Sequence, residues 1–268
     1  MFRRFSTSLG RLATAGAGVQ LGAAAAVALT DKELSKKPEW YQNSVRSLEE
    51  VLKRLSRYGF IESPSTLDEA HAALKEHADL HNTELQWRIA RVLTEKADLT
   101  KDTQEQLHLL HEAKEAAKKA LAVEPAKGSA GAHKWYGIIL FKLAKLEKKA
   151  NLEEEAEQHF GKAAALDPKD PYTLHFLGVI QYGNKKYADA ITTLNKAEAI
   201  RAGFSPSNLY YLGAAQKGAG NKAAAIESLK KAYNAHPRNK CDSKAKSSAK
   251  GLLTSLGVKP EEYVEDEL

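Results

Sequence analysis

Apolar positions recur at helical spacing along most of the chain. Between Trp40 and Tyr58 they fall every three or four residues until Gly59, and another such run begins at Ser65. Alanine, lysine, glutamate and leucine fill long stretches, and these residues favour helices. Runs of alternating β-branched or aromatic residues, which favour strands, do not occur in the sequence. The pattern therefore predicts an all-α protein.

Four helix ends along the chain look alike, and proline closely follows three of them. Their matching alanines are Ala120, Ala163, Ala197 and Ala232. The successive separations between these alanines are 43, 34 and 35 residues. A period near 34 is typical of tetratricopeptide repeats, in which each repeat is a pair of helices.

The first helix of each predicted pair opens on a large apolar residue. These anchors are Trp87, Trp135, Leu174 and Leu209. In the last two pairs a glycine follows the anchor, Gly178 and Gly213, and a small residue lets two helices approach closely. Since one pair cannot bury its apolar face alone, neighbouring pairs must stack. The sequence predicts a tetratricopeptide-like helical-repeat superhelix of antiparallel helix pairs over residues 65–237.

Segments of different composition flank this repeat domain. We expect residues 31–64 to form an N-terminal helix and a linker. Lysines and an arginine precede three leucines within residues 238–258, which predicts a basic C-terminal helix that caps the exposed end of the stack. Residues 259–268 form an acidic tail, and we expect the part beyond Pro260 to be mobile.

Residues 1–30 contain three arginines and no acidic residue, and apolar residues recur on one side of a potential helix. This composition is typical of a mitochondrial transit peptide, so we predict a mitochondrial location. Three alternatives stay open. In the first, residues 12–29, which lack charge, anchor the chain to another membrane. In the second, the segment is a secretory signal, because Ala26-Val27-Ala28 resembles its cleavage site. In the third, the segment has none of these roles.

Charge and candidate chemistry exclude several classes of function. The net charge is +6, and the first thirty residues carry three of these charges, so the basic bias of the rest is too weak to indicate nucleic acid binding. The single cysteine, Cys241, excludes an internal disulfide. His108 and His111 lie three residues apart, but no further ligand completes a metal site. No nucleophile and base pair is recognisable, so we predict a protein that is not an enzyme and needs no cofactor or metal.

A partner-binding groove is expected where the first helices of the stacked pairs line one face. The residue after each anchor is rotated about 100° from it, away from the core of its own pair. Tyrosine suits such a surface because it combines contact area with a hydrogen-bonding tip. The predicted groove residues are Arg88, His133, Tyr136, Tyr172, His175, Tyr182, Tyr210 and Lys217. Alternatively, these side chains pack between adjacent repeats, or the C-terminal helix fills the groove.

Five short segments resemble the regulator of microtubule dynamics proteins. They are Thr83–Arg91, Ala132–Ile138, His159–Asp170, His175–Gly178 and Gly251–Leu256. The resemblance covers roughly residues 83–256. It implies tetratricopeptide-like repeats and association with microtubules, and members of the family are found at mitochondria, other membranes and spindles.

Two hypotheses for function follow. In the first, the chain is a protein-interaction module that binds tubulin or microtubules, located at mitochondria or alternatively in the cytoplasm, on microtubules and at the spindle. Because the surface of tubulin is acidic, a basic surface is needed, and the candidates are Arg238, Lys240, Lys244, Lys246 and Lys250. In the second, it is a scaffold in the mitochondrial interior that binds other proteins through the groove without contacting tubulin.

Overall fold

The computed structural model describes residues 61–76 and 82–264, together with individual positions between 35 and 53. No residue of these parts lies in a strand, which confirms the all-α prediction. The helices of the two continuous parts are α1 (Pro64–Lys75), α2 (Thr83–Leu99), α3 (Thr103–Ala122), α4 (Ala130–Glu147), α5 (Ala150–Leu166), α6 (Pro171–Gly183), α7 (Tyr187–Ile200), α8 (Pro206–Gly218), α9 (Lys222–Asn234) and α10 (Lys240–Ser255), and a 3-10 turn (Pro260–Glu262) follows them.

Short polar side chains set where the helices begin. The Asn82 side-chain oxygen accepts hydrogen bonds from the backbone N–H groups of Glu84 and Leu85 at the start of α2. Such caps satisfy donors that have no partner within the helix. In α6 and α8 a proline occupies the first helical turn, where its missing N–H costs nothing.

The described part of the chain divides into two compact units, and the first ends at Ile139. Here α2 and α3 form an antiparallel pair, and α1 packs against α2. The Thr83 hydroxyl at the start of α2 donates to the Ala120 carbonyl near the end of α3 at 3.1 Å. The Trp87 ring lies against Gly131, where an added Cβ would approach the ring to 2.7 Å. The Trp87 anchor therefore has the packing role that the sequence predicts for it.

The second unit begins at Leu140, and its described residues include two antiparallel pairs, α6 with α7 and α8 with α9. A Cβ added at Gly178 would lie 2.6 Å from Leu194, and one added at Gly213 would lie 2.7 Å from Leu229. Both leucines are fully buried. The close approach at these two glycines confirms the predicted tetratricopeptide-like pairing.

The C-terminal helix α10 packs against both helices of the last pair. Its beginning lies beside the beginning of α8, where Ser205 donates to Asp242, and its end lies beside the end of α8, where Lys217 donates to Ser255. Helix α10 is therefore parallel to α8, as the first helix of a further repeat would be. Its outward residues are almost all polar, as those of a capping helix would be.

The acidic tail differs in part from the expectation. Tyr263 is buried, packs edge-on against Tyr233 with ring centroids 5.0 Å apart, and shares a core cluster with Val258. The expected mobility is therefore wrong for residues 261–264, because the buried Tyr263 side chain fixes this segment to α9. The last four residues, 265–268, lie outside the described residues.

The predictions for residues 1–30, including membrane association of residues 12–29, fall outside the described residues. Of the predicted N-terminal helix, the described positions from Glu39 to Lys53 are helical. Within the part of the chain that the structure describes, no helix combines the length and apolarity needed to cross a membrane.

Candidate partner-binding surface

In the first unit, the predicted groove residues are held by packing and ion pairs. His133 and Tyr136 are buried, and the His133 imidazole lies 3.4 Å from the Glu124 carboxylate. The Arg88 guanidinium stacks on the Trp87 ring at 4.1 Å and pairs with Glu84 at 2.6 Å. His133 and Tyr136 are therefore interior side chains, whereas Arg88 stays half-buried.

His175 of the second unit is also an interior residue. Its Nδ1 donates to the Asn208 side-chain oxygen at 3.3 Å, and its Nε2 accepts a long hydrogen bond from the Ser207 hydroxyl. Its ring meets Phe176 and Phe204 edge-on. Burial lowers the pKa of His175 to about 4, so the imidazole is neutral at physiological pH. It joins α6 to α8 and does not present itself to a partner.

Asn208, which sequence reasoning missed, completes this buried network. Its amide nitrogen donates to the Leu194 carbonyl at 3.2 Å and to the Glu198 carboxylate at 2.7 Å. The other oxygen of Glu198 accepts from the Gly203 N–H at 2.8 Å. The signal in the sequence is a polar residue directly before the Leu209 anchor, at a position that must be buried.

Four tyrosines form a continuous row of rings, which we call the tyrosine ladder: Tyr187, Tyr182, Tyr211 and Tyr210. Their successive ring centroids lie 6.0, 5.7 and 5.1 Å apart. Each of the four side chains is half-buried, so packing orients the ring while part of it stays accessible to solvent. The structure thus brings together the predicted groove residues Tyr182 and Tyr210 and adds two tyrosines that the sequence analysis did not select.

Two other predicted groove residues of this unit, Tyr172 and Lys217, do not belong to the ladder. Tyr172 is half-buried and meets the Phe204 ring edge-on at 5.1 Å, and burial is the main cause of its raised pKa. Lys217 is exposed, and its ammonium group donates to the Ser255 hydroxyl at 3.3 Å. Tyr172 therefore packs against the segment that joins α7 to α8, whereas Lys217 is accessible.

The basic surface of α10 is the second candidate. Arg238, Lys240, Lys244 and Lys250 are exposed, whereas Lys246 is half-buried with its ammonium group 5.5 Å from the centre of the Tyr233 ring. The lysines of α10 therefore reach solvent on the side that faces away from the last helix pair.

The buried carboxylate of Asp242 holds this basic helix in place. One oxygen accepts from the Ser205 hydroxyl at 2.6 Å and from the Ser207 N–H at 3.4 Å. The other oxygen accepts from the Arg238 N–H at 3.2 Å. Asp242 thereby joins the start of α10 to the start of α8. Sequence analysis did not identify it, because an acid in the first turn of a helix is usually exposed.

Comparisons with known proteins agree with this fold. Residues 55–186 and 181–257 match the family model described as Regulator of microtubule dynamics protein 1-3. Regulator of microtubule dynamics protein 1 of Pongo abelii is 29% identical over 243 residues, which cover 81% of this chain and 75% of that relative. The Bos taurus protein of the same name is 32% identical over 142 residues, which cover 52% of this chain and 43% of that relative.

Among solved structures, a thermophilic TPR protein of Thermus thermophilus superposes with a TM-score of 0.54. The sequences are 18% identical, and the match covers 77% of this chain and 98% of that protein. The likeness confirms a tetratricopeptide fold.

Proposed function

Because the chain belongs to the regulator of microtubule dynamics protein family, we propose that it is a non-catalytic protein-interaction module that binds microtubules. Stacked helix pairs of this type present extended surfaces to protein partners. The names of the relatives support microtubules as the partner.

The observation that carries this proposal is the exposed basic surface of α10. Lys244 and Lys250 are exposed, and within the described residues neither forms an ion pair. Asp242 pins the helix to α8, so the positive charges are held on a rigid element. A surface of this sign complements the acidic surface of tubulin, and such complementarity speeds association and favours the correct partner.

Sedimentation with polymerised tubulin tests the proposal. The double variant Lys244→Glu/Lys250→Glu should bind about tenfold more weakly at low salt, because two attractive charges become repulsive. The matched control is Lys162→Glu/Lys169→Glu, which changes the same net charge at exposed positions of the same unit. Equal loss in both variants would contradict a role for α10, and no sedimentation of the unmodified protein would contradict microtubule binding.

A second candidate function is a scaffold in the mitochondrial interior that binds proteins through the inner helices. Two observations support it: residues 1–30 have the composition of a transit peptide, and the tyrosine ladder leaves four aromatic side chains accessible on the second unit. Import into isolated mitochondria should then shorten the chain near residue 30 and protect it from added protease. A full-length product that protease digests would contradict this location.

A further inference from the structure

The described part of the acidic tail ends beside the basic surface of α10. Tyr263 is buried, and its ring centroid lies 5.0 Å from that of Tyr233 on α9. The Lys246 ammonium group lies 5.5 Å from the centre of the same Tyr233 ring. This ammonium group is therefore at most about 10.5 Å from the centre of the Tyr263 ring, which is the sum of the two distances. Packing of Tyr263 thus holds the chain close to Lys246.

Two lysines on this side of α10 have no acidic partner. Lys246 is half-buried and Lys250 is exposed, and within the described residues neither forms an ion pair. They lie four residues apart in the helix and therefore on the same side of it. The nearby carboxylate of Asp242 is buried and uses both oxygens in hydrogen bonds within the fold. The two ammonium groups are therefore available to an acidic segment that comes close to them.

The acidic tail itself supplies such a segment. The sequence continues directly from Val264 with Glu265-Asp266-Glu267. Each residue adds up to about 3.5 Å to an extended chain, so these three acids can reach the two lysines of α10. A single exposed ion pair is weak. A short tether, however, keeps the acids near the lysines at an effective concentration of the order of millimolar.

The groove between α7 and α9 contains a different pair of lysines, Lys230 and Lys231. The tail residues Glu261 and Glu262 line the same groove, and so does Glu227, which lies three and four residues before these lysines. Three carboxylates therefore already offset the charge of the two lysines. Additional acids would meet repulsion in this groove, whereas they would meet none from a described carboxylate paired with Lys246 or Lys250. The distribution of charge favours α10.

We propose that Glu265, Asp266 and Glu267 bind Lys246 and Lys250 and thereby compete with tubulin for the basic surface of α10. This inference rests on the proposed binding of microtubules and names the regulation of that same surface. Tubulin also presents acidic groups, so the acidic tail and a microtubule require the same ammonium groups. The tail occupies the surface in part of the molecules, and the apparent affinity for microtubules falls by the fraction that it occupies.

Carbodiimide cross-linking of the full chain tests the contact in the absence of tubulin. The reagent joins a carboxylate to an amine only where the two groups touch. In the monomeric fraction, mass spectrometry should find cross-links from the three acids to Lys246 or Lys250. Cross-links from these acids to Lys230 or Lys231 alone, or no cross-link from them, would overturn the inference.

Sedimentation with polymerised tubulin tests the competition. At low salt, Glu265→Gln/Glu267→Gln should bind about threefold more tightly than the unmodified protein, because less of the surface is then occupied by the tail. The matched control is Glu154→Gln/Asp189→Asn, which removes the same charge at exposed positions of α5 and α7. It should bind as the unmodified protein does. Circular dichroism verifies that both variants are folded.

The two experiments separate failure of this inference from failure of the proposed function. Absence of sedimentation in all three proteins would refute microtubule binding, and the competition with it, even where the cross-links form. Sedimentation of all three proteins with equal affinity would refute the competition and leave microtubule binding in place. An equal gain in both variants would show an effect of net charge alone, which also overturns the inference.

Discussion

At the scale of single residues, His175 makes the second unit sensitive to acid. Its pKa is lowered from an ordinary value of 6.5 to about 4, mainly by burial. The unfolded chain therefore takes up a proton at a pH where the folded chain does not, and the free energy of unfolding falls as the pH drops from about 6.5 to about 4. This one side chain removes up to about 3 kcal/mol over that window.

Thermal unfolding at pH 7 and pH 5 tests this prediction. His175→Gln keeps a polar side chain beside Asn208 but cannot titrate, so its melting temperature should fall less between the two pH values than that of the unmodified protein. The control is His108→Gln, at an exposed histidine of α3. An identical fall in the His175→Gln variant would refute the assignment.

Glu95 makes the first unit respond in the opposite sense. This side chain is buried, pairs with Arg91 at 3.1 Å and leaves its second oxygen without a hydrogen bond. Burial raises its pKa from 4.5 to about 7 and outweighs the opposing attraction of Arg91. The unfolded chain releases this proton from about pH 4.5 upward, so the contribution of Glu95 to stability declines as the pH rises from about 4.5 to about 7.

The variant Glu95→Gln separates the buried charge from the hydrogen bond to Arg91. We compare the melting temperature of the variant with that of the unmodified protein at each pH. This difference should favour the variant more at pH 8 than at pH 5, because only ionised Glu95 carries the cost of burying a charge. Glu105→Gln, at an exposed acid of α3, is the control. A stability difference that does not change with pH would contradict the raised pKa.

At the scale of helices, the contact of Gly213 with Leu229 determines how closely α8 and α9 approach. We expect Gly213→Ala to destabilise the chain by about 1–3 kcal/mol, since the added carbon overlaps a buried leucine. Gly161 is the matched control: it lies in α5 with nothing within 4 Å of an added Cβ, so Gly161→Ala should stabilise by about 0.5–1 kcal/mol. Denaturant unfolding measures both, and the same sign in the two variants would contradict this account.

A second prediction at this scale concerns the contribution of Asp242 to the attachment of α10. The helix buries few apolar side chains, Ala245, Ala249 and Leu253, so the carboxylate contacts contribute a large share of its docking. Asp242→Asn should accelerate amide hydrogen exchange in α10 while α6 and α7 stay protected. Asp189→Asn, at an exposed acid of α7, should change neither. Unchanged exchange in α10 would show that the leucines and Tyr263 suffice.

The helices could be predicted well because their signals are local. Capping residues and the glycine and alanine positions of close approach act within one helix pair, so the pairs α6/α7 and α8/α9 follow from spacing alone. The candidate surface was harder to predict, because exposure depends on what a neighbouring helix covers. Spacing assigns His175 and Tyr210 the same role, yet Phe204 and Asn208 enclose the first and leave the second half-exposed.

Two further features could not be predicted because long-range contacts create them. In the sequence, Asp242 is an ordinary acid of a first helical turn. Only the fold shows that Ser205, which lies 37 residues earlier, donates a hydrogen bond to it. Tyr211 follows the groove position Tyr210, and only the ring of Tyr182 on another helix makes it part of the ladder. The sequence contains these side chains but no periodic signal that joins them.

At the scale of the whole molecule, salt tests the proposed role of the basic surface of α10. The net charge of the chain is +6, and the screening length of an electrolyte falls from about 30 Å at 0.01 M to about 8 Å at 0.15 M. Binding to microtubules through α10 should therefore weaken about tenfold or more over this range.

The variant Lys244→Glu/Lys250→Glu makes this prediction specific to α10. If these lysines attract tubulin, the variant should show a shallower dependence of microtubule affinity on salt, because fewer attractive charges remain to be screened. The control Lys162→Glu/Lys169→Glu has the same net charge, but the dependence of its microtubule affinity on salt should stay closer to that of the unmodified protein. Equal slopes in the two variants would mean that microtubules respond to the total charge of the chain, and the rigid docking of α10 by Asp242 would then have no part in choosing the partner.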